Sequence, residues 1–404
     1  MRILMLSDVY FPRINGVSTS IQTFIQELRL LGHEITLIAP GYDFQNQTVF
    51  ETDTGIIRIP SRQVLFDPED RFMSRRAIRQ LLSYCHQQQY DVIHIQTPFV
   101  AHYLGIRLAR ELGLPCIETY HTFFEEYLYH YLPLAPKRLM RYLAKRYTTK
   151  QCNQVNKVIV PSSAMRDVLQ TYGVRTEIRI LPTGIPNQDY QPGNGGRFRQ
   201  EFGIAPDRPV MITVGRVAFE KNISFLVEVT KRVRERIPNI LFVIAGEGPM
   251  SPHLKKRVRR EGLQQQIMFV GYLDRATQLQ DCYRAANVFV FASRTETQGL
   301  VLLEAMAQEL PVVSTAVMGT RDVLVNQQGC LVAPDDVIQF ANMVITVLTN
   351  DSLQRQLAKT GKAYVKQWIA PRYAEKLADL YCELSESRFR CLGDSMAESA
   401  SITG

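Results

Sequence analysis

The sequence predicts an α/β protein of two doubly wound, parallel-sheet domains, and three observations predict it. Short apolar runs of strand length alternate with longer helical stretches. The alternation stops at a Pro- and Gly-rich segment, residues 188–196 (QDYQPGNGG), and then restarts. At 404 residues, 46% hydrophobic and 21% charged, the chain has length for two or three domains with large cores.

In the first half, residues 1–7 (MRILMLS) read as a buried strand and residues 8–16 (DVYFPRING) as a loop broken by Pro12 and Gly16. A helix follows over 17–31. Gly16 at its start lets the backbone approach a ligand, and Ser18 or Thr19 can cap it. Residues 33–40, 56–60 and 91–98 are strands, 102–112 a helix, and 114–121 (LPCIETYH) a strand ending at His121. Ligands of such sheets bind at the carboxyl ends of the strands, which singles out His121 among seven histidines. The alternative is a histidine satisfied by a neighbouring carbonyl. Strands at 157–163 and 178–186 complete the half.

After 188–196, strands are expected at 209–216, 239–249, 266–273, 287–293, 310–315 and 329–334, with helices between. A last helix over 372–386 follows a break near 368–371. Beyond Ser387 the residues turn polar and small, and 393–404 reads as a disordered tail. The expected division is therefore 1–187, a linker 188–196, a second domain 197–367, a last helix within 368–386 and a tail 387–404.

The opening MRILMLS lacks a basic segment and the apolar length of a signal peptide, and no window approaches a membrane span. Seven scattered cysteines without a CxxC pair (Cys85, Cys116, Cys152, Cys282, Cys330, Cys382, Cys391) argue for a reducing cytosol and against a zinc site. A formal charge of +8 admits nucleic acid, an anionic membrane or phosphorylated substrates as partners.

The stretch 293–312 (SRTETQGLVLLEAMAQELPV) carries Glu296 on a loop and Glu304 about one turn into the helix that follows. The first N–H groups of that helix have no internal partner, and its dipole favours an anion there. Two carboxylates flanking an anion-binding helix end suit a ligand with hydroxyls at both ends and phosphates between, such as a nucleotide sugar. On spacing alone, such a pair is more often a solvated loop residue and a helix-surface charge. Gly215 and Arg216 stand just past a strand, with Lys221 where a helix begins; two cations there would neutralise a diphosphate and stabilise its departure. A dinucleotide fingerprint, a Walker loop, a nucleophile elbow and a catalytic metal-ligand cluster are all missing.

These features, in this order, resemble glycosyltransferase family 4, retaining enzymes of the GT-B fold, over about residues 1–385. The matching pieces are PRINGV (12–17), TYHT (119–122), LPTGI (181–185), GRVAFEK (215–221), AGEGP (245–249) and ETQGLVLLE (296–304). The resemblance implies two Rossmann-like domains facing a cleft that closes on the donor, with a final helix crossing back to the first. It implies that the Gly16 backbone approaches the distal phosphate, that Arg216 and Lys221 hold the diphosphate, and that Glu304 binds the ribose hydroxyls. Glu296, with the N–H groups of Gln298, Gly299 and Leu300, would hold the sugar, and His121 would contact it beside the anomeric carbon. No cofactor and no metal is expected, because the cations and the helix start replace the ion. Many relatives carry two glycines where this chain has Asn15-Gly16; Asn tolerates left-handed backbone, so the loop is expected to survive.

Residues 137–157 carry Lys137, Arg138, Arg141, Lys145, Arg146, Lys150 and Lys157 with no acid, interleaved with Leu139, Met140, Tyr142, Leu143 and Tyr147. That is a basic amphipathic helix suited to anionic lipid headgroups, with Phe123, Phe124, Tyr127, Tyr129 and Tyr131 nearby; the alternative is a solvated basic face. Arg71, Arg75, Arg76 and Arg79, beside Phe72 and Met73, form a second patch. YHTFFEEY (120–127) is similar to bacterial diacylglycerol glucosyltransferases within the family. This implies transfer of glucose from UDP-glucose to a membrane lipid, by an enzyme peripheral on the inner membrane face. A GDP-mannose donor, or a soluble or polysaccharide acceptor, is the alternative. A nucleic-acid partner is disfavoured, since no recognised module is present.

Overall fold

The computed structural model describes residues 1–42, 50–51, 55–64, 67–121, 136–275 and 277–401, with the backbone alone at 50–51, 64, 67–70, 75–76, 79–80, 137 and 387–401. The chain forms two compact units, Met1–Thr183 with Ala370–Gly404, and Gly184–Ile369.

The first unit contains β1 (Arg2–Leu6), β2 (Glu34–Pro40), β3 (Phe50–Glu51), β4 (Ile56–Ile59), β5 (Ser61–Val64), β6 (Asp67–Met73), β7 (Val92–Ile95), β8 (Cys116–Thr119), β9 (Lys157–Val160) and β10 (Glu177–Ile180). Eight of these form one sheet in the order β10-β9-β8-β7-β1-β2-β4-β3. Its pairings are parallel except β3 with β4. Every residue of β7 and β8 is buried, as expected of strands covered on both faces. Strands β5 and β6 form a separate antiparallel pair that the sequence reading missed. Their residues, SRQV and DPEDRFM, lack the apolar alternation that marks a half-buried strand.

The second unit contains β11 (Val210–Val214), β12 (Leu241–Ala245), β13 (Ile267–Gly271), β14 (Val288–Phe291), β15 (Val312–Ser314) and β16 (Cys330–Val332). All are parallel, in the order β13-β12-β11-β14-β15-β16. The helices Ile223–Arg236 and Val337–Thr349 pack together against this sheet, with Leu226, Val227, Phe242, Val290, Phe340 and Val344 in one buried cluster. Each such side chain contributes roughly 1.5–3 kcal/mol by leaving water.

Two boundary expectations are corrected. Residues 188–196 are no free linker: Asn187–Tyr190 is a 3₁₀ turn whose Asp189 is buried, and a helix begins at Gly195. The Gln308 amide holds the carbonyls of Asp189 and Gln191 at 2.7 and 2.8 Å. A Cβ at Gly193 or Gly195 would lie 2.2 Å from the Gln280 backbone or 2.3 Å from that of Arg284. The glycines there serve close packing. The last helix, Ala370–Ser401, belongs to the first unit and runs well past residue 386 into the expected tail. Beyond Ser387 no proline interrupts it, and Arg, Leu, Met, Ala and Glu are all compatible with helix; polarity alone does not end one. It is anchored by fully buried Tyr381, whose hydroxyl lies 2.6 Å from His94 Nδ1, and by the Lys157–Glu383 ion pair at 2.5 Å.

Candidate functional site

In the second unit the loops after β11 and β12 are stitched together through their backbones. The N–H of Gly215 donates to Ala245, and that of Val217 to Glu247, both at 2.9 Å. Gly246 sits at φ 124°, and a Cβ there would lie 2.1 Å from the Gly215 carbonyl. The glycine of AGEGP is thus required by the contact of two loops, which holds the Gly215-Arg216 turn against β12. The chain then passes through the 3₁₀ turn Phe219–Lys221 and left-handed Asn222 into the helix Ile223–Arg236.

Lys221 Nζ forms an ion pair with Glu296 Oε1, bringing two sequence-predicted residues together. The Glu296 loop is fixed from both sides. Arg294 N–H donates to the Glu220 carbonyl at 3.2 Å, and Gly319 N–H to the Glu296 carbonyl at 2.8 Å. A Cβ at Gly319 would lie 1.9 Å from the Thr297 carbonyl, so only glycine lets this neighbouring loop back the site. Gln298 is buried, and Gly299, at φ 93°, starts the helix Leu300–Ala307 without a side-chain cap. The first N–H groups of that helix therefore point out of its end beside Glu296.

Glu304 is no surface charge. It is 5% exposed, and its Oε1 accepts from Arg275 Nη2 at 2.6 Å while Oε2 accepts from the Tyr283 hydroxyl at 2.9 Å. Asp189 Oδ2 lies 3.5 Å from the same guanidinium. Burial pushes the Asp189 carboxyl up to about 6; the Glu304 charge adds to this and Arg275 opposes it. The Glu304 charge raises the Arg275 pKa. Sequence reading missed Arg275, Tyr283 and Asp189. Arg275, four residues past β13, carried the one available signal, a cation beyond a strand end like Arg216.

In the first unit, Asn15 caps the helix Gly16–Leu30, its Oδ1 accepting from Ser18 N–H at 2.8 Å. Asn15 is extended (φ −155°), so the expected use of its left-handed tolerance is corrected, as is the expected cap by Ser18 or Thr19. Asn serves here because its side-chain oxygen reaches the N–H groups of the first turn. A Cβ on Gly16 would meet nothing within 4 Å, so the backbone there is open to an approaching group.

His121 follows β8, and its Nε2 lies 2.8 Å from Gln96 Oε1, on the residue after β7. Burial lowers its pKa to about 4, so the ring is neutral near pH 7. Beside it His94, bonded to Tyr381 and to Thr119 Oγ1 at 2.7 Å, is lowered to about 3 by burial and then by the His121 charge. Asp8 accepts from the Thr97 hydroxyl and from the N–H groups of Phe99 and Ala101 at the start of the helix Val100–Leu112. Burial nonetheless raises it to about 6.

The basic helix is Lys137–Cys152. The structure sorts its apolar residues: Met140 and Ala144 are buried, while Leu139, Tyr142 and Leu143 are 51, 57 and 45% exposed. Arg138, Arg141, Lys145 and Arg146 are exposed beside them. Tyr147 and Gln151 on the inner side donate to the Pro98 carbonyl at 2.9 and 2.6 Å. Residues 122–135, with the five aromatics and most of YHTFFEEY, lie outside the described residues, as do the side chains of Lys137, Arg75, Arg76 and Arg79. In the second patch Phe72 is exposed and Met73 buried. Among the described residues no helix is long and apolar enough to cross a membrane, and no three His, Cys, Asp or Glu gather as a metal-binding group.

The family described as glycosyltransferase family 4 matches residues 14–189, and that described as glycosyl transferases group 1 matches residues 196–364. The chain is 34% identical to an alpha-monoglucosyldiacylglycerol synthase of Streptococcus pneumoniae, over 78% of this chain and 71% of the relative. It is 29% identical to another alpha-monoglucosyldiacylglycerol synthase, of Acholeplasma laidlawii, over 95% of this chain and 97% of the relative. Its fold is that of a sucrose-phosphate synthase from Thermosynechococcus elongatus, with a TM-score of 0.78 at 21% identity, covering 96% of this chain and 99% of that one. Two Rossmann-like units in sequence, the last helix returning to the first, and matches to both family descriptions lead to one conclusion: the chain belongs to the GT-B glycosyltransferases of family 4, among relatives that include alpha-monoglucosyldiacylglycerol synthases.

Proposed function

We propose that this chain transfers glucose from UDP-glucose to a diacylglycerol-type lipid at an anionic membrane surface, with the anomeric configuration kept. The observation that carries the lipid acceptor is the helix Lys137–Cys152, which presents Leu139, Tyr142 and Leu143 to solvent among the exposed Arg138, Arg141, Lys145 and Arg146. An apolar stripe amid basic residues suits insertion at a headgroup boundary; a merely solvated face gains nothing from exposed leucines. The names of the two relatives, both monoglucosyldiacylglycerol synthases, support the same acceptor and sugar.

In this reading Arg216 and Lys221 hold the diphosphate, and binding draws Lys221 away from Glu296. Glu296 then accepts from the sugar hydroxyls, together with the N–H groups of Gln298, Gly299 and Leu300. Glu304 holds the ribose, the Gly16 backbone approaches the distal phosphate, and neutral His121 contacts the sugar beside its anomeric carbon. As the bond to the diphosphate breaks, negative charge grows where the cations and the helix start already point. The acceptor hydroxyl attacks from the face the diphosphate leaves. The chain works without a metal, its cations supplying the charge an ion would.

A donor screen tests this. UDP or GDP release is followed with diacylglycerol in anionic vesicles or a soluble sugar as acceptor, with and without excess chelator. UDP release that depends on diacylglycerol and persists in chelator is expected. Preference for the soluble sugar or for a GDP donor, or a loss in chelator that magnesium or manganese restores, would overturn the corresponding part.

A further inference from the structure

The Glu304 carboxylate has about four lone-pair positions on its two oxygens. The Arg275 guanidinium takes one on Oε1, at 2.6 Å, and the Tyr283 hydroxyl takes one on Oε2, at 2.9 Å. One acceptor position therefore remains on each oxygen, which complements two neighbouring hydroxyls. Such a carboxylate is costly to bury: Glu304 is 5% exposed and Tyr283 1%, and an ionised acid survives there only when paired and hydrogen-bonded. A second acid, Asp189, 6% exposed, lies 3.5 Å from the same guanidinium. Two buried acids thus share one cation. A guanidinium suits this place because its planar fork fixes direction as well as charge, which an ammonium does not.

We propose that Arg275 is a positioning residue of the donor site. With Tyr283 it holds the Glu304 carboxylate turned so that its two remaining acceptor positions meet the 2′- and 3′-hydroxyls of a nucleoside diphosphate. The proposal rests on the reading of Glu304 as the ribose-binding residue. Asp189, whose Oδ1 accepts from the Gln280 amide at 3.1 Å, serves as the second anchor for the guanidinium and comes from the segment read as a linker.

The test is calorimetric. The affinity of the full chain for UDP (GDP if UDP does not bind) is measured against that for the 2′-deoxy nucleotide. Wild type should prefer the ribo form by about tenfold or more, the scale of a hydrogen bond to a charged group. Glu304→Ala should erase that preference, and Arg275→Gln should erase it too while keeping the affinity owed to the diphosphate. Arg275→Gln leaves two buried acids unpaired and endangers folding, so Arg275→Gln with Asp189→Asn, which removes one acid, is measured as well. Loss of the preference in the double variant supports the proposal, because a merely structural arginine would weaken both nucleotides alike. A preference erased by Glu304→Ala but kept in the double variant overturns the role of Arg275 and leaves the ribose reading standing. A preference that survives Glu304→Ala overturns both.

Discussion

The two units solve the same problem, holding polar groups at the carboxyl edge of a parallel sheet, in opposite ways. The second unit uses opposite charges: Lys221 on Glu296, and Arg275 on Glu304 and Asp189. At and just past β7 and β8 the first unit uses neutral hydrogen bonds: His121 on Gln96, and His94 between Thr119 and Tyr381, with both rings kept uncharged by burial. Charge pairs suit a site that must exchange one ionic partner for another, as the proposed replacement of Glu296 on Lys221 by a diphosphate requires. Neutral hydrogen bonds suit a rigid wall. The second unit should therefore answer most to charge substitutions, and the first to pH.

The largest effect is expected where the charges meet. Lys221→Ala and Glu296→Ala should each lower turnover by roughly two or more powers of ten, since each removes a charged contact that the proposed function assigns to the donor. Exchanging the two, Lys221→Glu with Glu296→Lys, restores an ion pair and should return most of any lost thermal stability while turnover stays low. Near-wild-type turnover in either single variant would break the comparison, because the pair would then be structural only.

An effect on the acceptor alone is expected at the basic helix, whose charges face outward. Reversing Arg138, Arg141 and Lys145 to Glu should abolish sedimentation with anionic vesicles and glycosylation of lipid. At about 1 kcal/mol for each basic residue near the surface, losing three attractive charges weakens binding by about a hundredfold or more. Donor affinity should barely change, since the charges proposed to hold the donor belong to the second unit. Raised salt should imitate the variant in part. Unchanged vesicle binding by the folded variant would make this a solvated face and favour a soluble acceptor.

How much of this was legible follows from the range of each signal. The helix start at Gly299 and the buried strands are local patterns, and these were read from the sequence. The Lys221–Glu296 pair was half-visible, since both residues were singled out but nothing in the spacing joined them. Arg275, Tyr283, Asp189 and Glu304 converge from four segments, a fact of tertiary packing that no local pattern carries. Residues 188–196 were misread because glycine and proline look alike whether they loosen a chain or admit a close contact; Gly193 and Gly195 do the latter. Asn15 was assigned to backbone tolerance when its side chain supplies the cap. The pair β5–β6 carries no apolar alternation, so neither period reveals it.

The smallest expected effect concerns the neutral wall of the first unit and has a definite sign. His121 and His94 titrate near 4 and 3 in the fold and near 6.5 when unfolded, because burial disfavours the charged ring. Between pH 6.5 and about 4 the unfolded chain binds protons that the fold refuses, so these groups lower stability as pH falls. Each adds a slope of at most about 1.4 kcal/mol per pH unit. Asp8 acts in the other direction. Its folded pKa, near 6, lies above the ordinary 3.8, so below pH 6 the fold binds the proton first and stability rises as pH falls. Asp189, also raised to about 6, acts as Asp8 does, so the sign is read from single variants rather than from the net slope. Thermal melts of the full chain from pH 7 to pH 4.5 should show the melting point of Asp8→Asn falling more steeply toward acid than that of wild type, and that of His94→Asn falling less steeply. Equal slopes in all three would mean that these groups titrate normally, and the contrast between a charged and a neutral edge would fail.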